Sequence, residues 1–146
     1  MFLKTPMNFA IKLAQNASKR GEVPVGCVIV DEENKIISFA INSMERLKDP
    51  TAHAEILAIR KACHKLKVLK LPKTSLYVTL QPCKMCEAAI IQAGIRNIYF
   101  GAYTESFKLF DQKITKYNKN KYLNYFGGIQ EKICTNLITS FFKKIR

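Results

Sequence analysis

The sequence predicts an α/β protein in which helices cover both faces of one mixed sheet of about five strands. Three observations carry this prediction: apolar stripes at helical spacing, short runs rich in β-branched and aromatic residues, and the alternation of the two along the chain. With 146 residues, the chain is long enough for one domain with a full apolar core. We find no internal repeat, linker or break in composition, so we expect a single domain over residues 1–146.

The N-terminal third is predicted to be a helix followed by a β-hairpin. Thr5 offers a capping hydroxyl, and Pro6 follows in the first helical turn, where its missing N–H costs nothing. Apolar residues at helical spacing continue this helix until Gly21. Two apolar runs separated by a polar turn predict strands over 23–30 and 36–41. Within the first run, Gly26 marks either a close approach of another backbone or a loosely constrained strand position.

The rest of the chain continues the alternation. It predicts a loop over 44–50, a helix over 51–66, a strand over 75–80, a helix over 83–93, a strand over 97–101, a short strand over 129–133 and a terminal amphipathic helix. Pro72 argues against a helix in the connector before the third strand, and Gly94 ends the helix that begins near Cys83. The segment from Ala102 to Phe126 has no pattern that assigns it.

The charge of the chain is strongly positive and unevenly placed. The formal net charge is +13, and the stretch 56–86 contains no Asp or Glu. Its basic residues are Arg60, Lys61, Lys65, Lys67, Lys70, Lys73 and Lys84. The C-terminal end adds Lys143, Lys144 and Arg146. Such clusters suit a nucleic-acid backbone and predict salt-sensitive binding; the alternative is a merely solvated, Lys-rich surface of the kind that an AT-rich genome encodes.

The cysteines and the apolar runs bear on the compartment. The five Cys residues lack the spacing of a disulfide scaffold, so a metal site is the better use for the close pair Cys83 and Cys86. No apolar run is long enough to span a membrane, and the first residues lack the charged and apolar regions of a signal peptide. We therefore expect no membrane association and a reducing compartment, the cytoplasm.

Four residues in two short stretches predict a catalytic metal site. His53 is followed two residues later by Glu55, and Cys83 is followed three residues later by Cys86. Zinc bound by one His and two Cys keeps a fourth position open for water, which is typical of catalytic rather than structural sites. Because two thiolates cancel the charge of the ion, a base is needed beside the water, and Glu55 is placed to be that base.

Other uses of these residues have to be weighed. Cys-x-x-Cys also occurs in redox pairs and in structural zinc ribbons, but a redox pair leaves His53 and Glu55 without a role. A structural zinc needs a fourth ligand, for which the candidates by residue type are Cys27, Cys63, His64 and Cys134. We interpret those four as core or surface residues, because Cys27 falls in a buried strand and Cys63 and His64 at the far end of their helix.

The sequence resembles the cytidine-deaminase-like superfamily, and within it bacterial tRNA-specific adenosine deaminases. The likeness rests first on His53-Ala54-Glu55 and Pro82-Cys83-Lys84-Met85-Cys86, which match the H-x-E and P-C-x-x-C signature of zinc deaminases. It extends through Glu22-Val23-Pro24-Val25-Gly26, Asp49-Pro50-Thr51-Ala52, Leu76-Tyr77-Val78-Thr79-Leu80, Phe100-Gly101-Ala102 and the terminal Phe141-Phe142-Lys143-Lys144. The motif is specific for the superfamily but less so for the substrate, since deaminases of free guanine or cytosine share it.

The resemblance implies a three-layer α/β/α fold, a homodimer, and conversion of the wobble adenosine of a tRNA anticodon stem-loop to inosine. It implies that one zinc ion per chain is held by His53, Cys83 and Cys86, that Glu55 shuttles protons, and that Asn42 hydrogen-bonds the purine. It also implies that Lys143, Lys144 and Arg146 contact the RNA backbone. A base in a loop can be splayed into the pocket without opening a duplex.

Two alternatives to this function remain open at the level of sequence. One is a deaminase of a free nucleobase or nucleoside, and the other is a non-catalytic, zinc-containing RNA-binding subunit.

The chain departs from the family pattern at three places. Gln81 replaces a usual Glu, Glu87-Ala88 replaces a pair of small residues, and Tyr103-Thr104-Glu105 stands where the family has an Arg-Asp pair and a Gly-rich segment.

Overall fold

The computed structural model describes residues 5–107 and 122–145. Within these ranges the chain forms five helices and one five-stranded sheet. In chain order they are α1 Pro6–Lys19, β1 Gly26–Val30, β2 Ile36–Ile41, α2 Met44–Leu47, α3 Ala54–Leu66, β3 Ser75–Leu80, α4 Lys84–Gln92, β4 Asn97–Ala102, β5 Asn124–Phe126 and α5 Glu131–Lys144. A short 3₁₀ turn, Thr104–Ser106, follows β4. The predicted α/β class is confirmed.

The sheet is mixed, as predicted, with the strand order β2-β1-β3-β4-β5. Strand β1 is antiparallel to both of its neighbours. A hairpin joins β1 to β2, and the connection through α3 then leads from β2 past β1 to β3. Strands β3, β4 and β5 run parallel, so their carboxyl ends lie at one edge of the sheet. Sites of α/β proteins form at such edges.

Helices cover both faces of the sheet. Ser38 and Phe39 are consecutive residues of β2 and therefore point to opposite faces. The hydroxyl of Ser38 donates to the carbonyl of Ala58 in α3, whereas the ring of Phe39 contacts Phe9 of α1. Helix α5 packs on β4 and on α1. The layers are therefore α1 and α5, the sheet, and α3 with α4. All five residues of β1 are buried, as expected for a strand covered on both sides.

The fifth strand is the clearest error of the sequence-based assignment. We predicted a strand over 129–133, but β5 is formed by Asn124–Phe126, and α5 begins at Glu131. Of the two apolar residues assigned to the strand, Ile129 precedes α5 and Ile133 lies in it, a helix whose buried positions are Cys134, Ile138 and Phe141. A three-residue strand such as β5 is too short to show a period of two, so the sequence contains no signal for it.

Several element boundaries also differ from the prediction, among them the start of β1, which is Gly26 rather than residue 23. Helix α3 begins at Ala54 rather than Thr51, because the Thr51 hydroxyl donates to Asp49 and is not used as a cap. The loop predicted before it contains one helical turn, α2, whose first backbone N–H groups donate to the carboxylate of Glu22. Among the described residues, no helix has both the length and the apolar character that crossing a membrane would require.

Candidate active site

Three potential metal ligands converge at the starts of two helices. His53 is the residue immediately before α3, Cys83 occupies the same position before α4, and Cys86 lies in the first turn of α4. The Nδ1 atom of His53 lies 3.7 Å from the Sγ atom of Cys83 and 3.4 Å from that of Cys86. The ligand atoms of all three residues lie within 4.8 Å of one another. The structure therefore brings together the three residues that the motif predicted.

These distances fit a tetrahedral zinc site. Zinc lies about 2.0 Å from His nitrogen and about 2.3 Å from Cys sulfur, so tetrahedral ligands place nitrogen and sulfur roughly 3.6 Å apart. The residues proposed as alternative fourth ligands lie outside this group, which within the described chain contains His53, Cys83 and Cys86. A donor set of one imidazole and two thiols suits zinc and leaves one position of a four-coordinate ion for water.

The ionisation of Cys83 favours metal binding, whereas Cys86 and His53 must lose a proton to bind a metal. A hydrogen bond with Cys86 lowers the pKa of Cys83 to about 4, and the same bond raises the pKa of Cys86. A hydrogen bond with Cys83 also raises the pKa of His53. The thiolate is the form of Cys that binds a metal, and its position at a helix start stabilises the negative charge. Metal binding at this group should therefore displace protons from its protonated members.

Glu55 lies beside the ligands in the first turn of α3, and its side chain is 4% exposed. Burial raises its pKa from 4.5 to about 7, and the nearby negative charge of Cys83 acts in the same direction. A carboxyl group that titrates near neutral pH is well suited to accept a proton and to return it. Glu55 lines the same cavity as His53 and Cys83 and is not a member of the group of three potential ligands.

A cavity of about 260 Å³ opens onto this group. This volume is close to the lower end of the roughly 300–1,000 Å³ of typical ligand pockets, so the cavity suits a small ligand of the size of one nucleobase. Residues of the sheet and of the helices on both of its faces line the cavity. The lining residues are Val23, Val25, Asn42, Met44, His53, Ala54, Glu55, Leu80, Gln81, Cys83, Thr104 and Phe142.

Asn42 comes before all of the ligands in the sequence, yet it faces the same cavity. It follows the last residue of β2, as predicted, and is 5% exposed. Its carboxamide makes two long hydrogen bonds of 3.4 Å, donating to the carbonyl of Val23 and accepting from the N–H of Met44. These bonds hold the amide at the wall of the cavity.

Comparison with known proteins gives the family of the chain. Residues 2–102 match the family model of the cytidine and deoxycytidylate deaminase zinc-binding region. The chain belongs to this deaminase family. A relative from Aquifex aeolicus (strain VF5), named tRNA-specific adenosine deaminase, is 41% identical over 147 residues, which cover 96% of this chain and 93% of the relative. The resemblance to such deaminases is therefore confirmed.

Solved structures confirm the deaminase fold. One structure, from studies of A-to-I editing by tRNA:A34 deaminases, aligns with a TM-score of 0.79 at 36% identity and covers 90% of this chain and 97% of its own. A guanine deaminase from Nitrosomonas europaea aligns with a TM-score of 0.82 at 20% identity, covering 93% of this chain and 82% of its own. At that identity the second likeness shows the fold alone.

Several residues of this deaminase site were not predicted from the sequence. Phe142 lines the cavity from the last turns of α5, far from the ligand motifs in the sequence. Its only signal is an apolar position next to the buried Phe141 in an amphipathic helix, which equally indicates a core residue. Gln81 and Thr104 form a second such case, because their contact joins positions that the sequence keeps apart.

Two of the three predicted RNA-contacting residues, Lys143 and Lys144, are the last residues of α5. Lys143 and Lys144 are exposed and directly follow Phe142, so they lie in the turn of helix next to a wall of the cavity. Arg146 lies outside the described residues. Glu87, another departure from the family pattern, accepts a hydrogen bond from the hydroxyl of Tyr125 in β5 and therefore links α4 to the edge of the sheet.

Proposed function

We propose that the chain is a zinc-dependent hydrolytic deaminase that converts the wobble adenosine of a tRNA anticodon to inosine with release of ammonia. The observation that carries this proposal is the buried carboxyl of Glu55 beside a three-ligand group, in a cavity that has room for one base. The 41% identity to a relative named tRNA-specific adenosine deaminase supports the choice of substrate.

The proposed roles follow from the chemistry of each group. His53, Cys83 and Cys86 hold one zinc ion per chain, which when bound lowers the pKa of a coordinated water. Glu55 accepts a proton from the attacking water and delivers it to N1 of adenine as C6 is attacked. It then takes the remaining proton from the new C6 hydroxyl and delivers it to the amine as the C6–N bond breaks, so that water and adenosine yield inosine and ammonia. Asn42 hydrogen-bonds the base and fixes its orientation.

Binding of the RNA is assigned to surfaces outside the cavity. We propose that Lys143, Lys144 and Arg146 contact phosphates of the anticodon stem-loop, because the first two lie next to Phe142 at the cavity wall. Each phosphate contact steepens the fall of affinity with salt. The proposal also includes one deaminase domain over residues 1–146, a homodimer, and the cytoplasm as the compartment where tRNA is processed.

One experiment separates this function from its alternatives. Ammonia release is measured side by side on anticodon stem-loops with adenosine at the wobble position and on free adenine, adenosine, guanine, cytosine and cytidine. We expect turnover of the RNA alone, inosine at the wobble position, and a rate that falls as salt rises. Turnover of a free base without dependence on salt indicates a free-base deaminase, and binding of RNA without turnover indicates a non-catalytic subunit.

The matched variants are Glu55→Gln and Glu33→Gln. Glu33 is an exposed residue of the turn between β1 and β2, so the same substitution there controls for the loss of a carboxylate. Removal of a general base costs about 10²–10⁴-fold in rate, and we expect this loss at Glu55 with zinc content unchanged. Full activity of Glu55→Gln contradicts the proposed mechanism.

A further inference from the structure

A buried contact between Gln81 and Thr104 joins two strand ends at the cavity. Both side chains are 5% exposed, and both line the cavity. The Oε1 atom of Gln81 accepts from the backbone N–H and from the hydroxyl of Thr104, each at 3.1 Å. The backbone N–H of Gln81 donates to the carbonyl of Ala102 at 2.8 Å. Three hydrogen bonds therefore tie the end of β3 to the segment that follows β4.

The donors of Thr104 fix the orientation of the Gln81 carboxamide. A backbone N–H can only donate, so the group that faces it must be the amide oxygen and not the NH₂. Within the part of the chain that the structure describes, no other group accepts from the N–H of Thr104. Removing the oxygen of Gln81 leaves two buried donors without an acceptor, which favours movement of Thr104 toward water.

The position of Thr104 links this contact to the shape of the cavity. Thr104 begins the 3₁₀ turn after β4 and lines the same cavity as Glu55 and Asn42. Both of its donors are bonded to Gln81, so it contributes a wall without a free donor. If that wall moves, the cavity loses the shape that holds a base between Asn42 and Glu55.

We propose that Gln81 is a positioning residue that acts through Thr104, fixing the wall of the cavity that receives the substrate base. This inference rests on the proposed function, because adenosine in an RNA loop is the substrate whose binding it describes. What matters in Gln81 is the oxygen that accepts two hydrogen bonds. A carboxylate has the same acceptor capacity, so Glu at this position keeps the contact, whereas an apolar residue of similar size loses it.

The variants follow from this distinction. Gln81→Leu removes the acceptor, and we expect kcat/KM on the stem-loop RNA to fall about 10- to 100-fold, the effect of two lost hydrogen bonds. The loss should appear mainly as a higher KM, because Glu55 and the zinc ligands stay in place. Gln81→Glu should recover most of that loss. Thr104→Val removes one bond and should cost about 3- to 10-fold, with little further effect when combined with Gln81→Leu.

Two measurements that need no substrate complete the experiment. Zinc content should be the same in all variants, because the contact does not include a ligand atom. Amide hydrogen exchange across 103–107 should accelerate in Gln81→Leu and not in Gln81→Glu, relative to wild type and to Gln15→Leu, the same substitution at an exposed site in α1. Exchange reports local opening directly.

Three results overturn the inference. They are a Gln81→Leu enzyme that matches wild type in KM and exchange, a Gln81→Glu enzyme as impaired as Gln81→Leu, and a loss of zinc from Gln81→Leu. Failure of the proposed function is a different result: the wild type does not convert the RNA. In that case the exchange of 103–107 still decides whether Gln81 holds the cavity wall.

Discussion

Replacing Gly26 with Ala tests how closely α1 lies on the first strand. A methyl group built on Gly26 would lie 2.7 Å from Cβ of Leu13 and 2.9 Å from the backbone nitrogen of Ala14, and closer still to the carbonyl oxygen of Ala10. Ordinary contacts at such a position are 3.4–4 Å. Residues 10 and 14 are one helical hydrogen bond apart, so the methyl group would press on the backbone of α1 itself.

The magnitude depends on which atoms can move. A side chain would escape by changing its rotamer, but helix backbone has no such freedom, so α1 itself must shift. Overpacking costs about 1–3 kcal/mol, and we expect the upper end of that range, about 3 kcal/mol. For a chain of this size, about 1 kcal/mol lowers Tm by roughly 2–4 °C. The expected loss is therefore about 6–12 °C.

Thermal and urea unfolding of Gly26→Ala are compared with those of Gly21→Ala. Gly21 follows the end of α1 with a φ of +78° and has no atom within 4 Å of an added methyl group, so its substitution costs only the left-handed conformation, about 1–2 kcal/mol. The pair separates steric from conformational effects. If Gly26→Ala loses no more stability than Gly21→Ala, α1 does not lie tightly against β1.

Two further predictions concern Glu55 and the edge of the sheet. Burial raises the pKa of Glu55 from 4.5 to about 7, so between these pH values the carboxyl ionises in the unfolded chain before it does in the folded chain. Glu55 therefore lowers the free energy of unfolding as pH rises through this range. After chelation of zinc, we expect Glu55→Gln to be up to about 3 kcal/mol more stable than wild type at about pH 8 and equally stable at about pH 4. Lys61 and Lys65 donate to backbone carbonyls of β2, which is an edge strand of the sheet. Replacing both with Ala leaves this edge open to pairing with another chain, so we expect aggregation, measured as light scattering that increases over time. The control Lys19→Ala should not aggregate.

The parts of the fold that the sequence predicts are those with a local cause. The helix α1 begins at Pro6 because Thr5 caps it, and strand β2 has the predicted bounds because its apolar run is complete in itself. The grouping of His53, Cys83 and Cys86 could be predicted because each motif is short and lies at the start of a helix. In each case the residues that determine the feature are neighbours in the sequence.

The parts that could not be predicted depend on distant partners. The sequence left open whether Gly26 marks a close approach of another backbone or a loosely constrained strand position. The packing of α1 on β1 shows that the backbone of α1 lies close to Gly26. The three residues of β5 form a strand because Asn97–Tyr99 pair with them, not because of their own preferences. The contact of Gln81 with Thr104 joins residues 23 positions apart, and sequence alone shows only that both positions depart from the family pattern.

The charge of the chain and the chemistry of the site lie in different places. Among the described residues that line the cavity, none is Lys or Arg, and Glu55 is the single carboxylate, although the chain carries a net charge of +13. A cationic side chain beside Glu55 would lower the pKa that burial raises, and it would weaken the group as a proton carrier near neutral pH. Under the proposed mechanism, the absence of Lys and Arg from this lining adds no further positive charge beside Glu55, and the attraction of the RNA comes from the exterior. Lys143 and Lys144 are exposed and directly follow Phe142, which lines the cavity, so they place positive charge close to the cavity without being part of its lining.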